Sequence, residues 1–134
     1  MKVLLDTNII VDIISKREGY IKSLTVLECC EEGYAEGSVS TTTVTDVMYI
    51  LRKQTAPNTV RNAMQTLLAI LDVADVVKSD ITNAFTGEIS DFEDAVQASC
   101  AARYKMDYII TRNVKDFTNS SVQAILPDDF LKLL

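Results

Sequence analysis

Five aspartates stand where a chain could use them for chemistry. Asp6 follows the apolar run Lys2 to Leu5, Asp46 lies in the first turns of an expected helix, Asp91 and Asp94 open another, and Asp116 comes five residues after Thr111. A charge placed directly after a buried strand is costly unless it is paired or metal-bound, which favours a site at Asp6. Clustered carboxylates suit hard divalent cations: Mg²⁺ takes oxygen ligands at about 2.0–2.1 Å and usually binds one or two carboxylates, waters and substrate phosphate. The chain has no histidine. That excludes serine–histidine and cysteine–histidine triads, histidine general bases and histidine-ligated zinc or non-haem iron. An acid cluster without histidine suits Mg²⁺ or Mn²⁺.

Each acid also has a plainer reading. Asp91, at the first position of a capped helix, complements the helix dipole, and this stands evenly against a ligand role. Glu93 is the expected capping-box partner of Ser90. Asp94, three residues after Asp91 on nearly the same helix side, is not needed for capping and reads as functional. Asp46 divides evenly between a first-turn acid and a ligand. Asp12 and Asp72 read as solvated charges on helix surfaces.

The elements that must position these acids follow from apolar spacing and punctuation. Lys2 to Leu5 is a continuous apolar run, expected as a buried strand, with Asn8 as the N-cap of a helix over Ile9 to Ser15. Ile21, Leu24, Leu27 and Cys30 or Glu31 follow helical spacing up to a stop at Gly33. Gly37 to Ser40 forms a short strand before Thr42 or Thr43 caps a helix with Val44, Val47, Met48 and Leu51 on its apolar face. Pro57 starts a helix carrying Val60, Ala63, Met64, Leu67, Leu68 and Leu71. Val73 to Val77 reads as a strand, Asp80 to Phe85 as a short helix, and Ser90 as the N-cap of a helix running to about Tyr104. Asp107 to Thr111 and Val122 to Leu126 are strands, and Pro127 introduces a short last helix. Alternating strands and helices predict an α/β fold, a three-layer α/β/α sandwich with a mostly parallel sheet, whose sites lie at the carboxyl ends of the strands.

Length and composition bound the alternatives. At 134 residues, two separate cores would each approach the size at which small domains become marginal, so residues 1–134 are expected to form a single domain. The longest apolar runs, such as Leu67 to Leu71, are far short of the ~20 residues that span a bilayer. No signal-peptide h-region precedes Asp6, which makes the cytoplasm the expected location. Cys29, Cys30 and Cys100 form neither a disulfide framework nor a C-x-x-C knuckle and are expected to be reduced. A net charge of -6 is opposite in sign to the footprint of a typical nucleic-acid binder, yet an acidic enzyme reaches nucleic acid through bound cations.

Four segments together resemble one family. Leu4-Leu5-Asp6-Thr7-Asn8-Ile9-Ile10-Val11-Asp12, Thr43-Val44-Thr45-Asp46, Asp91-Phe92-Glu93-Asp94-Ala95 and Tyr108-Ile109-Ile110-Thr111-Arg112-Asn113-Val114-Lys115-Asp116-Phe117 are similar, in order and interval, to the motifs of the PIN (PilT N-terminus) domain. The resemblance extends over essentially the whole chain. It implies a Rossmann-like sandwich and a Mg²⁺- or Mn²⁺-dependent ribonuclease, most often the VapC-type toxin of a toxin–antitoxin pair. The family's metal ligands carry over to Asp6 and Asp94. Asp46 takes a position that is often glutamate, and Asn113 one that is often aspartate, which leaves Asp116 or Asn113 as the fourth member. The resemblance also makes a homodimer the expected assembly, built on apolar faces around Ile21 to Cys30 and Val44 to Leu51, and an antitoxin with a basic tail the expected partner.

On that reading the acids activate a water and stabilise charge on the scissile phosphate. Thr7, Asn8, Thr111 and Asn113 would orient ligands and waters, and Arg52, Lys53, Arg61, Arg112 and Lys115 are the cations available to RNA phosphates. Haloacid-dehalogenase phosphatases are matched poorly, since their pattern needs an acid where Asn8 stands. A phosphoacceptor receiver lacks its acidic pair near the first strand. The non-enzymatic alternative is a catalytically weak PIN-like module that binds RNA or protein, against which retention of the acids argues.

Overall fold

Lys2–Leu5 forms β1 at the centre of a five-stranded sheet in the computed structural model, which describes all 134 residues. The other strands are β2 (Glu36–Ser40), β3 (Asp72–Ala74), β4 (Tyr108–Ile110) and β5 (Gln123–Ile125), every pairing parallel, in the order β3-β2-β1-β4-β5. Helices α1 (Thr7–Ser15), α2 (Tyr20–Glu31), α3 (Thr41–Leu51), α4 (Pro57–Leu68), α5 (Lys78–Thr86), α6 (Phe92–Arg103) and α7 (Pro127–Leu131) connect and follow them, with a 3₁₀ turn at Val114–Phe117. The layering is the expected α/β/α sandwich.

Burial explains why β1 reads as an unbroken apolar run. Val3, Leu4 and Leu5 are all fully buried, because both faces of the sheet are covered. Val3 and Leu5 join one core with Ile9 and Ile10 of α1, Val26 of α2, Val47 and Leu51 of α3 and Phe130 of α7. Leu4 points the other way, into a second core with Cys100 and Ala101 of α6, Ile109 and Phe117. Gly37 of β2 is held by close packing, since a Cβ there would lie 2.6 Å from Cys30 Sγ and 2.7 Å from Leu71 Cδ2. The connections run outward from β1 to β3, then return to the other side of β1 for β4 and β5. The strand order therefore reverses between β1 and β4, where open α/β sheets bind their ligands.

Element starts differ from expectation where several capping residues stand in a row. Asp6, not Asn8, caps α1, its Oδ1 accepting from Thr7 N at 2.8 Å. Ser40 rather than Thr42 or Thr43 caps α3, accepting from Thr43 N at 3.1 Å. Asp91 rather than Ser90 caps α6, accepting from Asp94 N at 3.0 Å, so Asp91 precedes the first helical residue and Glu93 does not reach back to Ser90. In the first two cases the cap immediately follows or ends the preceding strand, so the last sheet bond decides among adjacent candidates. The expected strand Val73 to Val77 is reduced to Asp72–Ala74, because Asp75 N donates to the Tyr104 hydroxyl at 2.9 Å and Val76 N to the Thr41 hydroxyl at 3.1 Å. Asp72 accordingly opens a strand instead of lying on a helix.

Candidate functional site

The site begins with Asp6, held at the carboxyl end of β1 by its own N–H, which donates to Ile110 O of β4 at 2.9 Å. Its carboxylate is buried. Oδ1 accepts from Thr7 N at 2.8 Å and Gln97 Nε2 at 3.1 Å; Oδ2 accepts from the Thr111 hydroxyl at 2.9 Å and Asn8 Nδ2 at 3.2 Å. Four donors occupy the roughly four lone-pair positions of an ionised carboxylate. Behind them, Gln97 Nε2 also donates to Thr43 Oγ1 at 3.0 Å, Thr43 Oγ1 meets Thr7 Oγ1 at 2.9 Å, and Asn113 N donates to Thr111 Oγ1 at 3.1 Å. Strand ends, the starts of α1 and α3, and the middle of α6 are thus tied to one carboxylate.

A cleft of about 260 Å³ opens in front of Asp6. Asp46 from α3, Asp91, Glu93 and Asp94 from the start of α6, and Asp116 from the 3₁₀ turn all line it. No lysine or arginine forms an ion pair with any of these six acids. The accumulated charge shows in their protonation. Burial, then the charges of Asp6, Asp91, Asp116 and Glu93, push the Asp94 carboxyl up to about 7. Burial followed by Asp46, Asp91 and Asp6 raises Glu93, and burial raises Asp46. Such a set is an all-oxygen, uncompensated donor array, and it fits a hard divalent cation. As the side chains stand, no three carboxylates close on a single ion position, and Asp6 is fully engaged elsewhere.

A family model described as the PIN domain matches residues 2–115. The chain belongs to the PIN domain family. No curated protein matches it by sequence. Its fold is similar to VapBC2 from Rickettsia felis bound to a promoter DNA fragment, with a TM-score of 0.74 and 19% identity over 94% of this chain and 98% of the other. A toxin–antitoxin complex from Klebsiella pneumoniae has a TM-score of 0.71 and 22% identity over 93% and 97% of the two chains. VapC20 from Mycobacterium tuberculosis, a sarcin-ricin loop cleaving toxin, has a TM-score of 0.62 and 11% identity over 80% and 86%. At these identities the likeness is one of fold.

In this PIN domain Asp6, Asp46, Asp91, Asp94 and Asp116 share the cleft with Thr7, Asn8 and Asn113, while Thr111 is buried beneath Asp6. Asn8, freed from capping, bridges Asp6, Thr111 and Arg112 N. One reading of charge needs correction. Asp12 is not a solvated surface acid: it is 1% exposed, its Oδ2 is 2.7 Å from Arg112 Nε, and its Oδ1 has no partner. Burial raises its carboxyl, with Arg112 and Arg17 acting against that. Arg112 pairs with Asp12 through Nε alone, and its side chain is 46% exposed. Lys53 and Arg61 are exposed away from the cleft lining, and Arg52 lies 3.6 Å over the Tyr49 ring.

Sequence reasoning missed three charged or amide side chains of the lining, Arg17, Glu93 and Gln97. Glu93 was assigned to capping, yet it faces the cleft. Arg17 is the one cation among the lining residues. Gln97 lies three residues after Asp94 on α6, the spacing that puts two side chains on one helix face, which was the available signal.

Proposed function

We propose that this PIN domain is a metal-dependent endoribonuclease, the toxin of a toxin–antitoxin pair. One observation carries the reading: acids from β1's end, α3, α6 and the 3₁₀ turn line a single cleft at the reversal of strand order, without a basic partner. When bound, Mg²⁺ or Mn²⁺ acts as a Lewis acid on the phosphodiester and activates the attacking water. Asp6, Asp46, Asp94 and Asp116 are the residues that would hold it, with Asp91 beside them at the mouth. Thr111, Asn8 and Thr7 hold the Asp6 carboxylate in place at the carboxyl end of β1. Asn113 and Arg17 line the entrance, where Arg17 meets substrate phosphate.

The purified chain should cleave single-stranded or loop RNA with Mn²⁺ or Mg²⁺ and lose that activity in excess chelator. Asp6→Asn and Asp94→Asn should each remove most of it. Full-rate cleavage in chelator refutes the metal role. A cleft lined by six acids and a single cation, Arg17, also suits a basic segment of an antitoxin, matching the toxin–antitoxin assemblies among proteins of similar fold. Ile21 of α2 and Tyr49 and Ile50 of α3 are exposed apolar residues on the two helices proposed for a homodimer. Sedimentation at micromolar concentration tests that assembly, and a monomer counts against it.

A further inference from the structure

Gln97 is 3% exposed, lines the acidic cleft, and spends both its N–H bonds on Asp6 Oδ1 at 3.1 Å and Thr43 Oγ1 at 3.0 Å. Its Oε1 is buried with no partner. Exchanging the amide's oxygen and nitrogen does not resolve this, because Oε1 would then face the Asp6 carboxylate, oxygen against oxygen. Asp6 meanwhile has no lone pair to spare, although its position makes it a ligand on the reading above. One of its donors must yield before it can take a cation. Thr7 N is fixed as the first amide of α1, the Thr111 hydroxyl is locked by accepting from Asn113 N and Asn8 Nδ2, and Asn8 is held at both ends of its amide, Nδ2 by Thr111 Oγ1 and Oδ1 by Arg112 N. Gln97, on a side chain with three rotatable bonds and an unsatisfied oxygen, has the freedom and the chemical reason to move.

We propose that Gln97 is a reversible placeholder for the cation: its Nε2 satisfies Asp6 Oδ1 in the cation-free chain, and the carboxamide reorients to offer Oε1 to the cation when one enters. Gln97 then changes from competitor to ligand. An N–H donor on a carboxylate occupies the place a cation would take, and a carboxamide oxygen is an ordinary ligand for Mg²⁺-like ions. This inference rests on the metal-dependent reading of the same cleft and adds a neutral member to its acids.

The test is the Mn²⁺ affinity of the full chain, measured by the electron paramagnetic resonance signal of free Mn²⁺, in wild type, Gln97→Met and Gln97→Glu. Methionine keeps length and approximate volume without the amide; glutamate restores an oxygen ligand. The expected result is a loss of roughly 10- to 100-fold in Gln97→Met, with affinity at or above wild type in Gln97→Glu. A purely structural Gln97 predicts a lower melting temperature and an unchanged Kd in Gln97→Met, which overturns the proposal, as does tighter binding. Should the methionine variant not fold, Mg²⁺ titration of wild type still decides. The Gln97 side-chain amide resonances should shift and their hydrogen exchange quicken as the bond to Asp6 breaks; resonances that do not move overturn the proposal. Wild type that binds no Mn²⁺ refutes the metal-dependent reading and the placeholder together, whereas wild-type binding with an indifferent Gln97 refutes the placeholder alone.

Discussion

Replacing Asp94 by Asn keeps the side chain's shape and removes one charge from the cleft, so it separates a ligand from a structural acid. A carboxyl that ordinarily titrates near 3.8 and here titrates at about 7 binds its proton more tightly in the folded chain than in the unfolded one. The sign follows: the stability contributed by the neutral acid is fully present below about pH 4 and is lost as pH rises through 7. Taken at face value the loss is about 4 kcal/mol, but Asp94 is only half-buried and water screens its neighbours, so about 2 kcal/mol is the working figure. A chain of 134 residues has an unfolding entropy near 0.28 kcal/mol per kelvin. In chelator at pH 8, Asp94→Asn should therefore melt about 7 °C above wild type, and the gap should close toward pH 4. Adding Mn²⁺ at a hundredfold excess over Kd should raise wild type by about 2.7 kcal/mol, or about 10 °C, and the variant by far less. Differential scanning calorimetry across pH, with and without Mn²⁺, reads both effects. A variant that melts below wild type in chelator and keeps the full Mn²⁺ response would show that Asp94 is structural and refute the ligand assignment.

Asp91→Asn retains a good N-cap and Asp91→Ala does not, so urea unfolding should place the alanine variant about 1 kcal/mol below the asparagine one; equal stabilities would remove Asp91 as the cap of α6. Asp80 is buried beside Arg103, with Arg103 Nη2 2.9 Å from Asp80 Oδ2. Burial alone would raise the Asp80 carboxyl, but hydrogen bonds from Arg103, Val77 N and Ser99 outweigh it and hold it below its ordinary value. Its stabilisation is present above about pH 4 and lost as pH falls through the folded value, so Arg103→Met should lower the melting temperature at pH 7 and the difference should shrink on acidification. Gly37→Ala should cost about 1–3 kcal/mol by overpacking against Cys30 and Leu71, measurable as a lower urea midpoint with unchanged m-value.

Much of the architecture was legible because apolar periodicity and strand burial are local signals. Val60, Met64 and Leu67 repeat at helical spacing after Pro57, and α4 buries that face. The run at Val3 to Leu5 announced a strand covered on both sides, and that placed Asp6 at its end. What could not be read was decided by tertiary partners. The choice of Ser40 over Thr43 depends on where β2 stops, and the shortening of β3 depends on Thr41 and Tyr104 hydroxyls from distant segments. Asp12 looks like any polar residue on a helix until Arg112, a hundred residues later, is folded against it. The candidate site followed the same division: the acids stood out by type and position, while Gln97 is chemically ordinary until its neighbours are known.

The pairing of β1 with both β2 and β4 also governs when this protein exists during its synthesis. Leu5 lies in register with Ile110, and Asp6 depends on Ile110 O and Thr111 for its placement. A nascent chain that has emerged only as far as α6 can pair β1 on one side, but the opposite edge of its most apolar strand stays open and the first acid of the cleft lacks half its scaffold. Most of the acids have been made by then. They are not yet held together. Truncated products ending before Tyr108 should thus carry no cleft and expose a strand edge prone to pairing with other chains, leaving them substrates for chaperones and proteases. The order of strands makes the last fifth of the chain, from Tyr108 onward, the step that assembles the site.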